Sequence, residues 1–139
     1  LPLSVAEALE GRHGDFPTCE DLFSGRSLPR LHGDPARDGA TLVARAANGD
    51  TDAAATVAKM ARLLGLMTRE MVFQYMPLGG IVFAGSVARG ILGPTGRAAF
   101  LEAAEPSGPF ADLIARVPLR LITEDSAALT GLARLASTA

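Results

Sequence analysis

Gly79-Gly80-Ile81-Val82-Phe83-Ala84-Gly85-Ser86 is the stretch on which the fold reading turns. A short apolar run opened by two β-branched residues stands between glycines, too brief for a helix of its own. Such a run reads as a strand over 81–84 covered on both faces, as in a parallel sheet. Glycine, lacking Cβ, lets backbone approach a ligand closely, and a helix following at 87–92 presents its first N–H groups to negative charge. A nucleotide is the natural candidate on these residues; beside it stands a tight strand-to-helix turn with no ligand. Neither Gly-x-Gly-x-x-Gly nor Gly-Lys-Ser/Thr occurs, so a dinucleotide fingerprint and a P-loop are both unsupported.

Upstream, Pro77 stops the strongest periodic segment of the chain, Thr51–Tyr75. Val57, Met60, Leu64, Met67, Met71 and Tyr75 recur at steps of three and four, which predicts one helix roughly 37 Å long. Leu63, Leu66 and Val72 widen the stripe, so burial on more than one side is expected, and an apolar surface beyond what one small domain covers points to a homodimer. Lys59, Arg62, Arg69 and Glu70 exclude a membrane span here. Earlier, residues 3–9 read as a short helix broken by Gly11 and Gly14, and Pro17 forces Phe16 into extended backbone. Thr18 is a candidate N-cap, with Cys19-Glu20-Asp21 as an acidic first turn. Ser24-Gly25 interrupts that helix, Leu28 and Leu31 continue it, and Gly33-Asp34-Pro35 ends it. Asp38 or Thr41 opens the next, through Ala47, closed by Asn48-Gly49-Asp50.

Downstream, a helix carrying Phe100 ends near Pro106-Ser107-Gly108, and Pro109 suits the first turn of a helix through Arg116. Pro118 leads a second strand over 119–123, and Asp125 or Ser126 caps a final helix through Leu135. Helices, strand, helices, strand, helix is an α/β order, helix-rich with two visible strands. Two strands fall below the usual sheet size, so others are expected on polypeptide outside these residues, in keeping with a chain that starts at Leu1 rather than Met.

Composition narrows the function classes. The 139 residues suit one modest domain, and 48% hydrophobic with 20% charged residues predicts a packed core. Thirteen basic residues, all Arg but Lys59, against fifteen acidic ones leave a net charge of -2, without the basic surplus that nucleic-acid binding needs. Cys19 is the one cysteine, which excludes an intrachain disulfide and a cysteine zinc site and fits a reducing cytoplasm. No signal peptide or membrane anchor is visible. His13 and His32 read as surface histidines, Cys19 as a small packing residue, Glu124 as a surface group beside a capping Asp125, and Met60, Met67, Met71 and Met76 as core or interface filler. No metal-ligand set is expected.

Three pieces in order carry a resemblance. Thr18-Cys19-Glu20-Asp21-Leu22-Phe23-Ser24-Gly25 opens a helix and ends in Ser-Gly; residues 79–86 give Gly-Gly, an apolar strand and Ala-Gly-Ser; and between Phe110 and Leu135, Val117-Pro118 leads a strand while residues 125–131 open the last helix. Together they span about residues 7–135 and resemble the bacterial glucokinase family, within the sugar-kinase and actin-like ATPase superfamily. The resemblance implies a partial ribonuclease H-like (actin-like ATPase) large lobe, with residues 1–139 its C-terminal part and the N-terminal lobe elsewhere. It implies ATP and Mg2+, glucose as substrate, and a cytoplasmic enzyme of glycolysis. Glu20 falls where the family hydrogen-bonds sugar hydroxyls, Gly79, Gly80, Ala84 and Gly85 match its adenosine motif, and Ser86 replaces that motif's last glycine. Ser24 and Gly25 match a bend near the active cleft.

The family's phosphate-gripping Asp-x-Gly-Gly-Thr turn and its Asn-Asp pair, whose aspartate is the general base, belong earlier in the chain. On this reading so does its Glu-x-x-His sugar clamp. The chain is therefore expected to be inactive alone. The alternatives are a noncatalytic sugar-responsive regulator and a kinase for another hexose on the same scaffold.

Overall fold

Residues 1–105, 108, 111–124 and 126–137 are described by the computed structural model. Thr51–Tyr75 forms one uninterrupted helix, α5, around which the other elements gather. The carboxylate of Asp50 starts it by accepting from the Ala53 N–H at 3.0 Å, and Met76, left-handed at φ 48°, ends it before Pro77. Ahead of it run α1 (Leu3–Ala8), a 3-10 turn (Arg12–Asp15), α2 (Cys19–Phe23), α3 (Ser27–His32) and α4 (Gly39–Ala47). After it come β1 (Ile81–Phe83), α6 (Ser86–Ile91), α7 (Pro94–Ala104), α8 (Ala111–Ala115), β2 (Leu119–Leu121) and α9 (Ala127–Ser137).

The expected burial of α5 on more than one side is met. Val57, Met60, Ala61 and Leu63 are buried together with Val5 and Leu9 from α1 and its end, Leu28 and Leu31 of α3, and Leu42 of α4. α7 lies on α5 at backbone contact: a Cβ added at Gly65 would meet the Phe100 carbonyl oxygen at 2.5 Å and Ala103 Cβ at 2.8 Å. Residues 1–47 and α7 cover Val57 and Met60 of the apolar stripe of α5 within the chain, while Leu64, Met67 and Met71 are half-buried. Of the large apolar residues of α5, Phe73 and Tyr75 at the C-terminal end are exposed.

The two strands pair in parallel, in register Ile81↔Leu119, Val82↔Arg120 and Phe83↔Leu121. Gly80, at φ +112°, lets this pair form, since a Cβ there would lie 2.7 Å from the Pro118 carbonyl oxygen. The expectation of a strand covered on both faces is corrected. Phe83 packs edge-on against Phe100, centroids 5.5 Å apart, whereas Val82, on the opposite face by strand alternation, is 54% exposed. Among the described residues nothing covers that second face.

Several boundaries read from sequence agree with the structure. Thr18 and Asp21 make a reciprocal capping box, Gly33 ends α3 at φ 90°, and Asp38 rather than Thr41 caps α4. β1 stops one residue short of Ala84 and β2 two short of Thr123, while α9 extends past Leu135. Pro106, Ser107, Pro109, Phe110 and the capping role of Asp125 lie outside the described residues. Along α9, Leu129, Leu132 and Leu135 are exposed. Among the described residues no helix is long and apolar enough to cross a membrane.

Candidate functional site

Parallel pairing sends the carboxyl ends of β1 and β2 to the same side, the side on which open α/β sheets bind ligands. There β1 runs out into Ala84-Gly85-Ser86, all three exposed. Gly85 holds φ 94° and ψ 164°, backbone that is essentially reserved for glycine, and Ser86 begins α6. Two hollows open on either side of this turn. One, about 370 Å³, is lined by Ala84, Gly85, Ser86 and Arg89 with Ile122 and Glu124 beyond β2 and the start of α9. The other, about 280 Å³, lies between the α3–α4 region and α6, with Gly25, Leu28, Asp38, Gly39, Val43, Ser86, Val87, Gly90 and Ile91 on its walls. Ser86 belongs to both.

Gly25 thus shares a cavity with Ser86, joining two stretches far apart in the chain. Gly79 and Gly80 do not join them; they sit at the opposite end of β1. Gly80 is explained by its packing on Pro118, and the Gly79 carbonyl accepts from Arg120 Nη1 at 3.3 Å.

Glu20 stands in the first turn of α2, exposed. The capping work there is done by Thr18 and Asp21, with bonds of 3.1 Å in each direction, so the Glu20 carboxylate is free of the helix-end bonds. One turn on, along the same side of the helix, Phe23 lines a small hollow with Phe83, Ala84 and Val87. Through Phe23, α2 thus reaches the carboxyl end of β1. The nearby Cys19 is partly buried.

The placement of a Glu-x-x-His upstream is corrected by the chain itself, which carries Glu10-Gly11-Arg12-His13. The fold singles this segment out. Among the described residues Glu10 is one of two non-glycine residues with positive φ, at 54°, and its carboxylate accepts from Lys59 Nζ at 2.8 Å. That bond and the charge of Lys59 hold Glu10 below the ordinary carboxylate range. Buried Leu9 and Phe16 anchor both ends of the turn, and Arg12 ties it to α3 through bonds of 2.9 Å to the carbonyls of Arg30 and Leu31. His13 is exposed beside it, whereas His32 bonds Thr56 Oγ1 at 2.8 Å. The sequence signal for this segment is its Glu-x-x-His spacing, and the positive φ at Glu10 is visible only in the fold.

Asp38, Gly39 and Val43 were also missed as site residues. Asp38 reads from sequence only as an N-cap. It is one: its Oδ2 accepts from the Thr41 N–H at 3.0 Å and the Thr41 hydroxyl at 3.2 Å, and these bonds hold its carboxyl below the usual range. Only the fold sets it across a cleft from Ser86. Among the described residues no three His, Cys, Asp or Glu side chains cluster as a metal site.

The glucokinase family profile matches residues 5–139. The chain belongs to the glucokinase family. It is similar to the glucokinase of Brucella suis biovar 1 (strain 1330), 31% identical over 142 residues that cover 95% of this chain and 40% of that protein. Likewise it is 30% identical to the glucokinase of Rhizobium meliloti (strain 1021), across 95% of this chain and 41% of that one. With the glucokinase of Rhizobium etli it shares 28% identity, over 94% of this chain and 40% of the relative. As a glucokinase-family chain it therefore spans about 40% of the length of the curated relatives it matches. No solved structure matches it.

Proposed function

We propose that this chain is the C-terminal part of the large lobe of an ATP-dependent glucokinase with an actin-like ATPase fold, completed by an N-terminal lobe on upstream polypeptide. The whole enzyme transfers the γ-phosphoryl group of ATP to the 6-hydroxyl of glucose in the cytoplasm, with Mg2+ accompanying the nucleotide. The observation that carries this reading is the exposed Ala84-Gly85-Ser86 turn, set between two hollows at the carboxyl end of a parallel strand pair in a chain of the glucokinase family.

The nucleotide lies over the Gly85-Ser86 turn with its base in the cleft between α4 and α6. Apolar Leu28, Val43, Val87 and Ile91 wall that cleft, and Gly25, Gly39 and Gly90 keep it clear of side chains. Gly79 and Gly80 serve the same motif at a distance by docking β1 on β2. Glu20 accepts hydrogen bonds from sugar hydroxyls, as an ionised carboxylate with several lone pairs can. Glu10 and His13 meet the pattern of the family's sugar clamp and act beside it.

No metal-ligating cluster stands among the described residues, so this chain does not by itself fit Mg2+, and the ion's ligands belong with upstream residues and the phosphates. The general base and the phosphate-gripping turn lie upstream too. Without them proton removal from the sugar hydroxyl and support of the transferring phosphoryl both fail, and the 139 residues alone are inactive.

The test is ATP-dependent glucose phosphorylation by the protein with its native upstream sequence, with the 139-residue chain in parallel. Activity in the longer protein alone is expected. A folded longer protein that, with Mg2+ supplied, phosphorylates neither glucose nor other hexoses would overturn the reading.

A further inference from the structure

The Arg12 guanidinium spends its planar fork in three directions. Nε donates to Asp15 Oδ2 at 3.0 Å, while Nη1 and Nη2 donate to the carbonyls of Leu31 and Arg30, both at 2.9 Å. Its central carbon also lies 6.0 Å from the centroid of the buried Phe16 ring, with Arg30 at 5.4 Å from the same ring. The bond to Asp15 closes the 3-10 turn, and the other two satisfy carbonyls in the last turn of α3. A lysine ammonium, a point charge without the fork, does not match these three acceptors together.

Glu10 and His13 stand on either side of this anchor. Glu10 has a tie of its own, to Lys59 of α5. His13 has none: among the described residues its side chain makes no hydrogen bond or ion pair, so its position is that of the backbone that carries it. Glu10 at φ 54° and Gly11 at φ 86° put two left-handed residues in succession directly before Arg12, backbone that persists only where its surroundings hold it. Leu9 and Phe16 hold the ends of the segment by burial; between them, Arg12 fastens it to α3.

We infer that Arg12 is the positioning residue of the Glu10–His13 pair: by gripping the end of α3 it fixes where His13 stands relative to Glu10, and so sets the affinity for sugar. The inference rests on the reading of Glu10 and His13 as sugar contacts. It adds to that reading the residue at an open position of Glu-x-x-His that holds both in place. Arg12 acts on the sugar only through its neighbours, and releasing it lets the turn shift, a displacement that at about 1 Å can cost up to about a hundredfold.

Steady-state kinetics of the protein with its native upstream sequence test this, with glucose and ATP varied separately. The variants are Arg12→Met, Arg12→Lys, Glu10→Gln and His13→Ala. Met keeps an apolar stem over Phe16 and removes all three bonds, whereas Lys keeps the charge and loses the fork. The Michaelis constant for glucose should rise about tenfold in Arg12→Met and about threefold in Arg12→Lys, with that for ATP staying within about twofold. An arginine that only stabilised the fold would instead, when replaced, shrink the active fraction, lowering kcat and leaving both Michaelis constants unchanged. That result in either folded variant overturns the inference, as does an equal rise in both constants. If thermal unfolding finds Arg12→Met unfolded, Arg12→Lys decides alone; failure of both to fold assigns Arg12 to the fold and overturns the inference too. Unchanged glucose constants in both Glu10→Gln and His13→Ala overturn the sugar-contact reading itself. A rise in those two beside unaltered Arg12 variants overturns the positioning role alone.

Discussion

Replacing Gly65 by Ala puts the α5–α7 contact to a quantitative test. In an isolated helix the change favours the helix by about 1 kcal/mol, because glycine has more backbone entropy to lose. Here the new Cβ would stand 2.5 Å from the Phe100 carbonyl oxygen, 2.8 Å from Ala103 Cβ and 3.1 Å from the Ala104 nitrogen. Two of these atoms are backbone, which no rotamer change can remove. A relaxed carbon–oxygen contact is about 3.3 Å, so α7 must retreat by roughly 0.8 Å. A gap of that size forfeits a quarter to a half of the dispersion contact across the interface. Phe100, Ala103 and Ala104, 5%, 9% and 8% exposed, would lose it together. Overpacking of this kind costs about 1–3 kcal/mol, and with two immovable backbone atoms in the way the upper half of that range applies, so that after the helix gain a net loss of about 1–2 kcal/mol remains. Gly131, inside α9 with nothing within 4 Å of an added Cβ, is the internal control, and Gly131→Ala should stabilise by up to about 1 kcal/mol. Urea unfolding of the 139-residue chain, followed by circular dichroism at constant slope, should move the two midpoints in opposite directions. If Gly65→Ala raises the midpoint as Gly131→Ala does, the close approach of α5 and α7 is wrong.

Gly85→Val should impair ATP binding without any side-chain clash: no atom lies within 4 Å of the added Cβ, but φ +94° is strained for valine by about 1–3 kcal/mol and the turn presenting Ser86 must rearrange. An unaltered ATP titration would count against the turn as a nucleotide contact. Glu20→Ala should raise the Michaelis constant for glucose strongly in the full-length enzyme and leave that for ATP within a few-fold, with unchanged thermal stability. Asp21→Ala, which breaks the capping box, should do the reverse and cost about 1 kcal/mol of stability; equal kinetics for both variants would undo the division of labour in α2. Because Asp38 is held below its ordinary value of 3.8, chiefly by the Thr41 N–H and then its hydroxyl, the stabilisation it gives α4 is fully present above that pH and fades as pH falls below it. A carbon-13 NMR titration should find its midpoint moving up toward 3.8 in Thr41→Val; an unmoved midpoint would refute the role of the hydroxyl.

Much of the local structure was legible because short-range chemistry decides it. The capping box at Thr18 needs only Asp21 three residues on, and Gly33 needs only its freedom at positive φ to end α3. The periodicity of Val57, Met60 and Leu64 locates α5, and Asn48-Gly49-Asp50 and Pro77 bound it. Errors arose where a local pattern had to be assigned a partner. The width of the α5 stripe signals burial on more than one side, and the fold supplies α7 and the N-terminal helices as the covering elements. The apolar run at 81–84 has the composition of a doubly covered strand, yet Val82 is exposed, since hydrophobicity records an aptitude for burial and not the presence of a covering layer.

The candidate site divides along the same line. By itself the sequence determined the principal helices and several of their caps, the α/β order, the glycine-bracketed strand and the likeness to glucokinases, all of them properties of neighbouring residues. The tertiary structure decided that Gly25 and Asp38 face Ser86 across one cleft, that Gly80 serves strand pairing, and that Glu10 is held at positive φ beside Lys59. These are contacts between residues far apart in the chain. They depend on how α5 packs its neighbours, and no local periodicity or spacing encodes that.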